Sequence, residues 1–305
     1  MRKRSAAVLV WFWAVSALAQ GQSAHAPNVR VVTVASEALK GSRRAAVMLP
    51  PGYDNSPARY PVLYLLHGLT GNWEDWSRKT NLAAYAAAYS LIIVMPDGEN
   101  SWYTNSAVRP DYRYEDFIVR EMVSYVDTNY RSIADRHARA IAGLSMGGYG
   151  AMKLGLKFPQ VYSALGSFSG ALGLAQPGLK PPAGMAAKSL SEAFGSDDEA
   201  RKLNDPFTIA TKLAAVRPAI YFDCGNGDRL LDSNRKFADL LLAQKVAYEY
   251  REPPGEHNWE YWDRQIQEFL RWLAREWRLG PSWGGPRPPG PIPAGPPGAF
   301  PPPPR

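Results

Sequence analysis

Gly143-Leu144-Ser145-Met146-Gly147 sets one serine between two glycines, where an apolar run (Ala138 to Gly143) gives way to a stretch with helical spacing (Gly147 to Lys157). In a strand-to-helix turn that tight, Cβ atoms at the flanking positions would clash, and glycine removes them. The turn would present the serine oxygen at the start of a helix, where free N–H groups and the helix dipole favour developing negative charge. The chemistry this arrangement suits is nucleophilic attack by Ser145.

A serine hydroxyl is a weak nucleophile and needs a base. The four histidines are His25, His67, His137 and His257. His25 is close to the N-terminus, and His137 sits in the charged stretch "ADRHARA" and reads as a surface residue. His67 ends an apolar run in "LLHGLTGN" and reads as shaping the loop that follows. His257, in the Pro/Gly-containing loop "PPGEHNWEYW", can be carried over Ser145 and is the expected base. An acid must orient that imidazole, and in the order Ser, acid, His the segment "YFDCGNGDRLLD" offers Asp223, Asp228 and Asp232. Asp223 falls within a strand pattern and Asp232 within a helix pattern. Asp228 lies in the loop past the strand, where the working groups of open parallel sheets gather, and is preferred.

An oxyanion needs two N–H donors. Met146, next to the nucleophile, would supply one. The loop after "LYLLHG" would supply the other, from Leu69, with Gly68 and Thr70 adjacent. Trp102 and Tyr103 in "SWYTN" are candidates to line a substrate pocket, or else core aromatics on a loop. Cys224, the only cysteine, has no local base and reads as a packed thiol, and no internal disulfide can form. The histidines are scattered, there is no Cys pair and no G-x-G-x-x-G follows a strand, so neither a metal nor a cofactor is expected.

These residues require a scaffold that places loops side by side. "NVRVVTVAS" and "RRAAVMLPPGY" alternate and predict an antiparallel pair. "PVLYLLHG" and "LIIVMPDG" are continuous apolar runs, as in strands buried on both faces. Helical patterns over 82–89, 114–130, 147–157, 233–244 and 259–276 alternate with further strands, including "YSALGSFSG", "PAIYFDCG" and "VAYEYRE". This alternation predicts an α/β fold, a mainly parallel central sheet with helices on both faces. Residues 171–216 interrupt the rhythm and read as a cover over the site or as a surface excursion.

The chain has 305 residues, 46% hydrophobic and 21% charged, which suits a globular body and not a disordered one. Three of its +7 net charges sit at Arg2, Lys3 and Arg4, and the body holds no basic block, so no nucleic-acid partner is expected. "MRKRSAAVLVWFWAVSALAQG" has the basic start, short apolar run and Ala-Leu-Ala site of a secretory signal over 1–19. The run is shorter than the roughly 20 residues of a spanning helix, so stable membrane insertion is not expected. Residues 281–305, of which twelve are proline, read as an extended tail. The catalytic body is expected over 27–280, acting outside the cytoplasm, in the periplasm or secreted.

The sequence resembles the esterase D group of α/β-hydrolases, which holds feruloyl esterases, S-formylglutathione hydrolases, short-chain acyl esterases and mycolyl-transfer enzymes. The resemblance is carried by "YPVLYLLHGLTGN", "VMPDGENSWYTN", "IAGLSMGGYGAMKLGLKFP", "GSFSG", "NDPFTIA", "IYFDCGNGD" and "GEHNWEYW", in that order. It implies an α/β-hydrolase fold with Ser145 as nucleophile, Asp228 as acid and His257 as base, and backbone donors at Leu69 and Met146. The expected activity is hydrolysis of small-molecule or saccharide-linked carboxylic esters without a cofactor. The alternatives are acyl transfer to a sugar or lipid hydroxyl on the same triad, and a non-catalytic wall- or carbohydrate-binding role on the same scaffold.

Overall fold

Val62–Leu66 and Ile92–Pro96 are buried at every residue, which a strand tolerates only where both faces of its sheet are covered. The computed structural model describes residues 28–279, apart from 180–183, 197 and 214. The expected signal over 1–19, His25 and the tail over 281–305 lie outside the described residues.

Among the described residues one sheet runs through β1 (Val29–Ser36), β2 (Gly41–Met48), β3 (Val62–Leu66), β4 (Ile92–Pro96), β5 (Arg139–Leu144), β6 (Ala164–Phe168), β7 (Ala219–Asp223) and β8 (Glu249–Arg251). Their spatial order is β1-β2-β4-β3-β5-β6-β7-β8. β1 and β2 are antiparallel, as their alternating pattern predicts, and β2 is antiparallel to β4. Every pairing from β4 through β3 to β8 is parallel. Alternate residues feed two separate cores. Val62, Tyr64 and Leu66 join one with Phe222 and Tyr149, while Leu63 and Leu65 join the other with Phe168 and Phe269. That is the two-faced burial the continuous apolar runs require.

Helix Met146–Lys157 lies against β5 and β6, and glycines on both sides of the contact let it approach closely: a Cβ on Gly143 would lie 2.6 Å from the Gly147 backbone, and one on Gly155 would clash with Leu165 Cδ2. Its Lys153 is fully buried, and the ammonium donates to Tyr103 O (2.6 Å), Thr104 Oγ1 (2.8 Å) and Glu115 Oε2 (2.9 Å). A buried charge survives only with such partners, and here they tie the helix to the loop that follows β4. Helix Trp259–Glu276 buries Trp262, Ile266, Phe269, Leu270 and Leu273, a spacing of three and four that covers the second core. No helix of the described residues is long and apolar enough to cross a membrane.

Two expected helices differ from their patterns. The one over 82–89 covers only Leu82–Ala86. The one over 114–130 is not a uniform α-helix: Tyr114–Asp116 and Val123–Asn129 flank a widened π-helical segment, Phe117–Met122. Apolar spacing reports which face is buried and is silent on such local widening. The insert over 171–216 is bound to its neighbours. Tyr149 OH donates to Asn204 O at 2.6 Å, the Trp102 indole N–H donates to Ser189 Oγ at 2.9 Å, and Leu190 and Phe194 enter the core.

Candidate active site

Ser145 stands between the end of β5 and the first residue of helix Met146–Lys157, with φ 53° and ψ −114°. A non-glycine residue pays for that conformation, and surrounding structure must enforce it. The enforcement is visible. A Cβ on Gly143 would come within 2.6 Å of the Gly147 backbone, and one on Gly147 within 2.5 Å of Leu66 O and 2.6 Å of His67 O. Ser145 N–H donates to Phe168 O of β6 at 2.9 Å, which locks the corner onto the neighbouring strand.

The Ser145 hydroxyl lies 2.9 Å from His257 Nε2, and His257 Nδ1 lies 2.8 Å from Asp228 Oδ2. A carboxylate can only accept, so Nδ1 carries the proton and Nε2 presents its lone pair to Ser145. Three remote segments meet here. Ser145 comes from the β5 turn, Asp228 from the loop after β7, and His257 from the loop after β8. The last two loops are stitched together, since Gly227 N–H donates to Gly255 O at 2.9 Å and Asn226 N–H to Pro253 O at 3.0 Å. Asn258, directly after His257, caps helix Trp259–Glu276 by accepting Tyr261 N–H at 3.0 Å. Trp262, one turn into that helix, meets the imidazole edge to face at 5.0 Å.

The Asp228 side chain is fully shielded from solvent. Burial pushes its carboxyl upward, but the His257 hydrogen bond, the Leu230 N–H (2.9 Å) and the charge of His257 outweigh this, so it lies below the ordinary carboxylate value. Asp223 behaves in the opposite way. It is buried at the end of β7 with Oδ1 accepting from Tyr261 OH at 2.7 Å, and burial raises its pKa to about 7 in spite of that bond. Asp232 lies in the first turn of helix Leu231–Ala243. Neither touches the imidazole of His257.

The N–H groups of Leu69 and Met146 make no hydrogen bond among the described residues. Thr70, at φ 66°, has its N–H taken by Asn100 Oδ1 at 2.8 Å. Gly68 stands beside the nucleophile: a Cβ on it would lie 3.6 Å from Ser145 Cβ. Trp102 (φ 55°) and Tyr103 (φ 52°) turn inward and are buried, Trp102 against Ser189 and Tyr103 with its hydroxyl on His67 O at 2.9 Å. They pack as core aromatics. His137 is a surface residue paired with Asp135, and burial raises the Cys224 thiol well above its ordinary value. Sequence reasoning assigned no part to Asn100 or Tyr261, and only the quoted motifs "DGENSWY" and "EHNWEYW" contained a signal for them.

The Esterase family model matches residues 36–273. The chain is similar to the acetyl esterase of Caldicellulosiruptor saccharolyticus, with 29% identity over 228 residues that cover 70% of this chain and 83% of that protein. Among solved structures it is similar to FphF, a fluorophosphonate-binding serine hydrolase of Staphylococcus aureus, with TM-score 0.71 and 26% identity over 81% of this chain and 98% of that one. It is also similar to a ferulic acid esterase, with TM-score 0.69 and 28% identity over 82% of this chain and 98% of that one. The mainly parallel sheet with helices on both faces is the α/β-hydrolase fold. A match that spans most of the body, over that fold, means that this chain belongs to the Esterase family and is a serine esterase.

Proposed function

We propose that the chain hydrolyses carboxylic esters through an acyl-enzyme on Ser145, with His257 as base and Asp228 as the orienting acid. The observation that carries this reading is the unbroken hydrogen-bond line Ser145–His257–Asp228 at a strained strand-to-helix corner. Ser145 Oγ attacks the ester carbonyl as its proton passes to His257 Nε2. The resulting oxyanion takes hydrogen bonds from the Met146 and Leu69 N–H groups. The C–O bond to the alcohol breaks, and the alcohol departs with the proton from Nε2. Water then attacks the acyl-Ser145 carbonyl, His257 takes its proton and returns one to Oγ, and the carboxylic acid leaves. Asp228 stays ionised throughout and stabilises the imidazolium, consistent with the direction of its shift.

The similarity to an acetyl esterase and to a ferulic acid esterase supports small acyl and aromatic acyl esters as substrates. The test is a panel of acetyl, butyryl, octanoyl and feruloyl chromogenic esters, each with and without an acceptor alcohol. Turnover of at least one is expected; hydrolysis of none would sink the reading, and a new ester dominating at low acceptor would move the assignment to acyl transfer. The reading extends to an exported enzyme, supported by the leader-like pattern over 1–19, and N-terminal sequencing of the mature protein checks it.

A further inference from the structure

We propose that His67 is a positioning residue for catalysis: its neutral ring, protonated on Nδ1, holds the Gly68–Leu69 peptide so that Leu69 N–H faces the oxyanion formed at Ser145. The proposal rests on the triad reading above and adds what sets the second oxyanion donor.

His67 is 1% exposed, and both ring nitrogens meet backbone groups of fixed polarity. Gly98 N–H donates to Nε2 at 2.8 Å, so Nε2 carries a lone pair. Nδ1 lies 2.8 Å from Gly68 O, which can only accept, so Nδ1 carries the proton. Asp97 Oδ1 is 3.6 Å from Nε2, beyond hydrogen-bond reach, and already accepts Glu99 N–H at 2.9 Å. Two backbone partners therefore select one neutral tautomer. Gly68 O also accepts Gly71 N–H at 3.1 Å, so its two lone pairs are both engaged.

The described peptide bonds are all trans. In a planar trans peptide the C=O and N–H point in opposite directions. Pinning Gly68 O on the His67 side turns Leu69 N–H the other way, and that N–H has no hydrogen-bond partner among the described residues. The peptide so held adjoins the nucleophile, as the 3.6 Å from a Gly68 Cβ to Ser145 Cβ shows. Thr70 N–H is taken by Asn100; among the described residues Gly68 N–H, like Leu69 N–H, makes no hydrogen bond, but only Leu69 N–H belongs to the peptide whose carbonyl His67 holds. The ring itself is braced by Tyr103, whose hydroxyl donates to His67 O and whose ring meets the imidazole edge to face at 5.9 Å.

Two amide substitutions separate the two bonds. His67→Asn keeps a short donor directed at Gly68 O. His67→Gln places its longer amide toward Gly98 N–H and loses the donor to Gly68 O. His67→Gln should lower kcat by about 10²- to 10³-fold, the cost of one oxyanion donor, with KM within about threefold of wild type. His67→Asn should lose less than about tenfold. A trifluoromethyl ketone, which forms a hemiketal oxyanion on serine, should weaken in parallel with kcat/KM across the variants. Nitrogen-15 NMR of the wild-type protein should show His67 as the Nδ1–H tautomer, a result that does not depend on how the variants fold. Equal kcat in both variants and wild type, a loss confined to KM, or an Nε2–H tautomer would each overturn the proposal. If instead Ser145→Ala retains turnover, or the ketone leaves the wild-type enzyme active, the triad reading itself fails and this proposal goes with it.

Discussion

His257 Nε2 stands 2.9 Å from Ser145 Oγ although 112 residues separate them along the chain. A serine hydroxyl so placed loses its proton to the imidazole as it attacks, and nothing else at that corner can replace the oxygen. Ser145→Ala should therefore reduce kcat by at least about 10⁴-fold, with the circular dichroism spectrum unchanged. A fluorophosphonate should label the wild-type chain at Ser145 and leave the alanine variant unlabelled.

The acid is tested by comparing two carboxylates five residues apart in sequence. Asp228→Asn permits the wrong imidazole tautomer and should lower kcat by at least about 10²-fold. Asp223→Asn keeps an oxygen for Tyr261 OH and should cost less than about tenfold. A crippled Asp223 variant beside a normal Asp228 variant would reverse the assignment.

Asp223 should also appear in the pH dependence of stability. Its pKa is raised by burial from 3.8 to about 7. The folded chain therefore holds a proton that the unfolded chain gives up. The stability this contributes is complete below 3.8 and is lost as pH climbs to about 7. Asp223→Asn has no such proton to lose. Between about pH 5 and about pH 8, the Tm of Asp223→Asn relative to wild type should move in the variant's favour by several degrees. Calorimetry at the two pH values checks this, and an unchanged difference would contradict it.

Activity against pH should show one acid limb. Asp228 sits below the ordinary carboxylate value, so it adds no second proton to the limb set by the general base. Log kcat/KM should rise with a slope of about one and then level off. A slope near two would mean that a second group essential to catalysis loses its proton in the same range.

Gly147→Ala tests the corner. In a free helix the change would add up to about 1 kcal/mol of stability. Here the new Cβ would lie 2.5 Å from Leu66 O and 2.6 Å from His67 O. The expected result is a loss of about 1–3 kcal/mol in urea denaturation. A fall in kcat should accompany it, because the displaced backbone leads directly into Gly68 and Leu69.

What the sequence alone determined is what short-range physics encodes. Gly143 answers a clash within five residues, against the Gly147 backbone. The apolar run of Val62–Leu66 follows from burial on both faces, and the three-and-four spacing of Trp259–Glu276 from burial on one. Each is written in consecutive residues, as is the place of Asp232 inside a helix. Tertiary structure decided what depends on how remote loops pass each other. Asp223, Asp228 and Asp232 are equivalent as residue types, and only the path of the loop after β7 against the loop after β8 turns Asp228, and not the others, onto His257. Trp102 and Tyr103 read equally as pocket wall or core until the fold buries both, with the Trp102 indole donating to Ser189 Oγ and the Tyr103 hydroxyl to His67 O. His67 reads as a loop-shaping residue, but its tautomer follows from Gly98, which lies 31 residues away, on the next strand's loop. Local periodicity cannot encode such contacts, because they exist only after the sheet has aligned β4, β3, β5, β6, β7 and β8 in that order.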